Sequence, residues 1–91
     1  MRFTIKDLRA EIADINESFE NYGVSVRFIV AGRNGYQAVD EYPVWPDGSR
    51  RGSCVNRNIC CGSSRECARA SRDKYYTIVN NALENNRRES L

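Results

Sequence analysis

The run Val24-Ser25-Val26-Arg27-Phe28-Ile29-Val30-Ala31-Gly32-Arg33-Asn34-Gly35-Tyr36-Gln37-Ala38-Val39-Asp40-Glu41-Tyr42 decides the fold. Val24, Val26, Phe28 and Val30 alternate with Ser25, Arg27, Ile29 and Ala31. That is the period of two of a strand, in a segment rich in β-branched and aromatic residues. Asn34-Gly35 is a strong hairpin signal, because both central positions of a type I′ turn need positive φ. The reading is a strand over 24–31 that returns antiparallel over 36–42. Pro43 and Pro46 lack the N–H a ladder needs and stop regular pairing. Pro46-Asp47-Gly48 marks a second turn. A short strand over 52–57 then completes a three-stranded antiparallel sheet.

A helix is expected on each side of this sheet. Ile5, Leu8, Ile12, Ile15, Phe19 and Tyr22 are spaced alternately three and four apart, which puts all six on one helical stripe over 4–22. Thr4 is a fitting N-cap, with Asp7 three residues on in a variant capping box. Glu11, Asp14, Glu17 and Glu20 keep the outer surface acidic, and Gly23 supplies the stop. Ser63 and Glu66 form a second capping box just after Gly62 and open a helix over 64–86. Its inner face carries Cys67, Ala68, Ser71, Tyr75, Ile78, Val79 and Ala82. The polar tail 87–91 is expected to fray. Each element alone exposes an apolar face. Two helices on one face of the sheet bury them all in a two-layer α+β domain of order α-β-β-β-α. A chain of 91 residues has no room for a second core, so 1–91 reads as a single domain.

The formal charge of +2 hides a split. Residues 7–47 hold eight acids and three bases, whereas residues 50–72 hold six arginines and one acid. Arginine makes planar bidentate contacts with phosphate or carboxylate that lysine cannot. On the second helix Arg65, Arg69, Arg72 and Tyr76 fall on one stripe beside the apolar face, and Arg50, Arg51 and Arg57 precede it. The stripe reads either as a solvated helix face or as a partner surface, of which nucleic-acid binding is the sharper version. Trp45 reads either as an interface hot spot or as a cover over one end of the core, since Trp, Tyr and Arg dominate interface energetics.

Chemistry is conspicuous by what is missing. The chain has no histidine, which excludes His-dependent nucleophilic sites, His-ligated metal and an imidazole switch. Asp40 and Glu41 are neighbours on a strand and point to opposite faces, a poor acid/base pair. Cys54, Cys60, Cys61 and Cys67 form a C-x5-C-C-x5-C cluster with three readings: thiols used as small apolar residues, a disulfide, or a zinc site that lacks the usual C-x2-C knuckle. A phosphatase-like loop needs a cysteine six positions before an arginine, and neither Cys60 nor Cys61 stands so before Arg65. Gly62-Ser63-Ser64 at a helix start could hold an anion through free amides. No catalytic constellation and no cofactor motif emerge, so an enzyme is not expected. The charged start of the chain and the lack of a long apolar run imply neither signal peptide nor membrane span, hence a cytoplasmic protein with reduced thiols.

Two resemblances extend these expectations. Ser64-Arg65-Glu66-Cys67-Ala68-Arg69, with the α-β-β-β-α order, resembles double-stranded-RNA-binding domains, in which a Ser-Lys-Lys-x-Ala-Lys type run grips phosphates. Glu66 departs from that run, and the acidic first helix is a poor match for an RNA minor groove. A wider pattern is similar to small orphan proteins of phages and prophages. It comprises Leu8-Arg9-x-Glu11-Ile12-x-x-Ile15-Asn16, Gly32-Arg33-Asn34-Gly35-Tyr36-x-Ala38-Val39-Asp40 and Cys61-Gly62-Ser63-x-Arg65-Glu66. Some such proteins block host defences, CRISPR complexes among them. This resemblance implies a stoichiometric binder of a host protein or protein–nucleic-acid complex, with Arg50, Arg51, Arg65, Arg69, Arg72, Tyr76 and Trp45 as the contact residues. A homodimer that joins acidic and basic halves is a further possibility, undirected by any motif.

Overall fold

The computed structural model describes residues 2–33, 36–53 and 56–89, with the backbone path alone for 33, 57, 58, 61, 88 and 89. The order is α1 (Ile5–Asn21), β1 (Val26–Arg33), β2 (Tyr36–Pro43), β3 (Asn56–Gly62) and α2 (Ser64–Glu89). The strands form one antiparallel sheet in the order β1-β2-β3. The architecture is thus the α+β, α-β-β-β-α fold expected from the sequence.

Local chemistry explains the helix starts. The Thr4 N–H donates to Asp7 Oδ2 at 2.8 Å and the Asp7 N–H donates to Thr4 Oγ1 at 3.3 Å, a reciprocal capping box. Ser63 accepts from the Glu66 N–H at 3.2 Å at the start of α2. Gly23, with φ +69°, ends α1 in a backbone conformation that a side chain would resist.

Several boundaries differ from expectation. The first strand starts at Val26 rather than 24, because the Val24 N–H is drawn to the Phe19 carbonyl at the end of α1, at 2.8 Å. The third strand is not 52–57 but Asn56–Gly62. Gly52 has φ +83°, which belongs to a turn, while Ile59 and Cys60 of the strand pack against the core. The second helix extends to Glu89 rather than 86. The turn at Asn34-Gly35 lies outside the described residues.

One face of the sheet carries the core. Register pairs Phe28 with Glu41 and Val30 with Val39, so the even positions of β1 share a face with the odd positions of β2. Against that face Leu8, Ile12, Ile15 and Phe19 of α1 meet Phe28, Val39, Cys67, Ala68 and Val79. Phe19 is the hub. Its ring meets Phe28 edge-on at 5.1 Å and Tyr75 at 5.3 Å. The two helices run side by side in the same direction, since Asp7 and Arg65 share one groove, Glu11 meets Arg72 and Ser18 meets Tyr75. Asp40 and Glu41 do lie on opposite faces. Glu41 sits on the helix side, where its carboxylate accepts from Asn56 Nδ2 at 3.0 Å, and both acids are buried.

Candidate partner-binding surface

The residues expected to contact a partner do not form one surface. The β2–β3 register places Gln37 opposite Gly62 and Glu41 opposite Asn56. The start of α2 therefore sits at the hairpin end of the sheet, and the 44–53 connection sits at the other end. Seven residues of β3 at about 3.3 Å each separate Arg50 and Arg51 from Arg65 by ~20 Å along the sheet. Arg50 and Arg51 do not extend the α2 stripe. They belong to a second patch.

That second patch is a pinned hairpin. Trp45 N–H donates to the Ser49 carbonyl at 2.8 Å, Gly48 N–H to Trp45 O at 2.8 Å and Arg51 N–H to Pro43 O at 2.9 Å. Asp47 accepts from the Ser49 hydroxyl at 2.6 Å and the Ser49 N–H at 2.8 Å, and these bonds hold its carboxyl below the usual carboxylate range. On this frame the Arg51 guanidinium lies 5.3 Å from the Trp45 ring centre, and Arg50 lies 4.9 Å from that of Tyr42. Trp45 is 51% exposed, so it does not cover the core end. It is an aromatic–guanidinium pair presented to solvent.

On α2 the stripe divides. Arg72 Nη2 and Nε donate to Glu11 Oε1 at 2.6 and 2.9 Å, and that bond raises the guanidinium further above its ordinary value. Arg72 thus joins α2 to α1, with its side chain still half-exposed. Arg65 and Arg69 are exposed and have no bonded partner among the described residues. Tyr76 is 55% exposed and leans edge-on against Tyr75 at 5.3 Å. Arg65 overlooks a groove of about 380 Å³ shared with Asp7, Glu11 and Asp14 of α1. The basic stripe therefore borders an acidic one. The Glu11–Arg72 pair is half-exposed, so its worth is at most about 1 kcal/mol. Arg72→Met is expected to lower the melting temperature by a few degrees at low salt, with the difference shrinking near about 1 M salt, which thermal melts at both conditions would check.

The two cysteine side chains among the described residues do not lie at this surface. Cys67 is fully buried in the core, and its thiol donates to the Gln37 carbonyl at 3.4 Å. Cys60 carries a free, half-buried thiol opposite Val39. Cys54 and the Cys61 side chain lie outside the described residues, as does the Arg57 side chain. Among the described residues no cluster of three or more Cys, Asp or Glu side chains could hold a metal, and no helix is long and apolar enough to cross a membrane.

Sequence reasoning missed one polar device. Asn16 Nδ2 donates to Phe28 O at 2.9 Å, and Phe28 N–H donates to Asn16 Oδ1 at 2.8 Å. The carboxamide takes the place of a neighbouring strand on the outer edge of β1. Its signal was available: Asn16 stands four after Ile12 and three before Phe19, a polar residue beside the buried stripe. Set against known proteins, the chain matches no family model, no curated protein and no solved structure.

Proposed function

We propose that this chain is a small non-enzymatic binding protein that acts by stoichiometric capture of a partner protein, in the manner of phage-encoded inhibitors of host defence complexes. The observation that carries this reading is the pair Arg65 and Arg69, two exposed guanidinium groups one helical turn apart with no bonded partner among the described residues. The helix fixes the backbone beneath both guanidinium groups, and the planar fork of each can form two hydrogen bonds to one carboxylate for the side chain it orders. The Trp45–Arg51 pair offers a second anchor of the residue types that dominate interface energetics. The partner surface that suits both is acidic and belongs to a host protein complex.

A nucleic-acid duplex is the rival occupant of the same stripe. Asp7, Glu11 and Asp14 line the groove beside Arg65 and would face a phosphate backbone with like charge. That weighs for a protein, whose surface can present carboxylates to Arg65 and Arg69 and neutral or basic groups to the acidic border, whereas a phosphate backbone is negative along its whole length. The test compares the wild-type chain with Arg65→Glu/Arg69→Glu in capture from the native host, read by quantitative mass spectrometry, with far-UV circular dichroism to verify folding. At least a tenfold loss of one saturable, stoichiometric partner is expected. Unchanged capture by the double variant would remove the assignment. Duplex RNA or DNA binding that weakens steeply with salt would transfer the surface to nucleic acid.

A further inference from the structure

β1 is an edge strand, and the protein closes only half of its edge. Phe28 turns its N–H and C=O away from β2, toward Asn16. The carbonyl of Val26, two residues earlier, accepts from the Arg27 guanidinium at 2.7 Å. By the two-residue repeat of an antiparallel pair, Val30 and Gly32 also direct N–H and C=O outward. Neither has a bonded partner there among the described residues. Gly32 is exposed, and a Cβ placed on it would meet nothing within 4 Å.

Beside this open stretch runs a groove of about 290 Å³ between α1 and β1. Ile12, Ala13, Phe28 and Val30 give it apolar walls, and Arg9 is the one charged residue on its rim among the described residues. Arg9 is exposed and has no bonded partner among the described residues. Unpaired strand edges are usually blunted by lysine, proline or a bulge. From Val30 to Gly32 β1 has none of these.

We infer that the Val30–Gly32 edge binds an extended peptide segment of a partner protein, added as a fourth strand, with an apolar side chain in the α1–β1 groove and a carboxylate on Arg9. Main-chain hydrogen bonds supply affinity in this mode, and pockets for alternate side chains supply selectivity. The guanidinium of Arg9 sets the sign of the ligand, since a carboxylate can meet it in a bidentate pair. The site is separate from the α2 stripe, because α2 packs over β2 and β3 while α1 flanks β1.

The test is a displayed library of random eight-residue peptides selected on the immobilised full chain. Enriched peptides are expected to combine alternating β-branched or aromatic residues with one Asp or Glu, and to shift the amide resonances of Val30 through Gly32. Arg9→Glu, an exposed helix position, should weaken them at least tenfold. Gly32→Pro should do the same, because it removes an outward N–H that the β1–β2 ladder does not use. Arg65→Glu/Arg69→Glu should leave them unaffected, which keeps this proposal apart from the α2 reading. No enrichment, or peptides indifferent to Arg9→Glu, would overturn it. So would a dimer in sedimentation whose formation protects the Val30 and Gly32 amides, since the occupant would then be a second copy of this chain.

Discussion

Phe19→Ala is expected to lower the melting temperature by ~15–30 °C, and at 37 °C much of the chain should be unfolded. Phe19 is fully buried and touches both layers, with Phe28 of the sheet on one side and Tyr75 of α2 on the other. Removing a buried phenyl ring costs about 3–5 kcal/mol, from lost transfer energy and the cavity left behind. A domain of this size holds roughly 5–13 kcal/mol in total, and each kilocalorie moves the midpoint by about 4–8 °C. The site cannot collapse cheaply, because its ring neighbours belong to two separate elements, β1 and α2. Tyr75→Phe is the control. It keeps the ring against Phe19 and removes only the hydroxyl bonded to Ser18 Oγ, so a loss of about 1 kcal/mol is expected. Thermal melts by circular dichroism check both. A shift under about 5 °C for Phe19→Ala would mean that the hub lies elsewhere.

The hub was legible in the sequence because periodicity reports burial. The spacing of Leu8, Ile12, Ile15 and Phe19 and the alternation of Val26, Phe28 and Val30 specify which faces meet, and all of these residues sit on the core side. The third strand was misplaced for a reason of the same kind. Ile59 is the one β-branched residue described in Asn56–Gly62, too thin a signal to place the strand, whereas Gly52 looks harmless until its positive φ is known. The contact surface was half legible. The helical stripe of Arg65, Arg69, Arg72 and Tyr76 follows from spacing alone, but spacing cannot report that Glu11 claims Arg72. Nor can it report that the 44–53 connection lies at the opposite end of the sheet from the start of α2. Both facts depend on how the two helices and the strands are placed in space, which is tertiary information.

Asn16→Ala should be more damaging than its half-exposed setting suggests. The carboxamide satisfies two backbone groups of Phe28 at once, at 2.8 and 2.9 Å. Losing the two bonds removes about 1 kcal/mol each, and leaving part-buried groups unsatisfied adds to that, so roughly 2–3 kcal/mol is expected. The effect should be local as well as global. The Phe28 amide, protected in the wild type, should exchange with solvent faster than the Ile29 amide, which the β1–β2 ladder retains. A second consequence follows from the edge. With Asn16 gone, the open stretch of β1 grows from Val30–Gly32 back to Phe28, long enough for two chains to pair edge to edge. Concentration-dependent association in sedimentation is therefore expected for Asn16→Ala and not for Phe19→Ala at matched stability. Equal Phe28 exchange in wild type and variant would show that the carboxamide contributes nothing to the edge. It would also deprive the half-closed β1 of its physical basis, because the contrast between a guarded Phe28 and an unguarded Val30 rests on that one side chain.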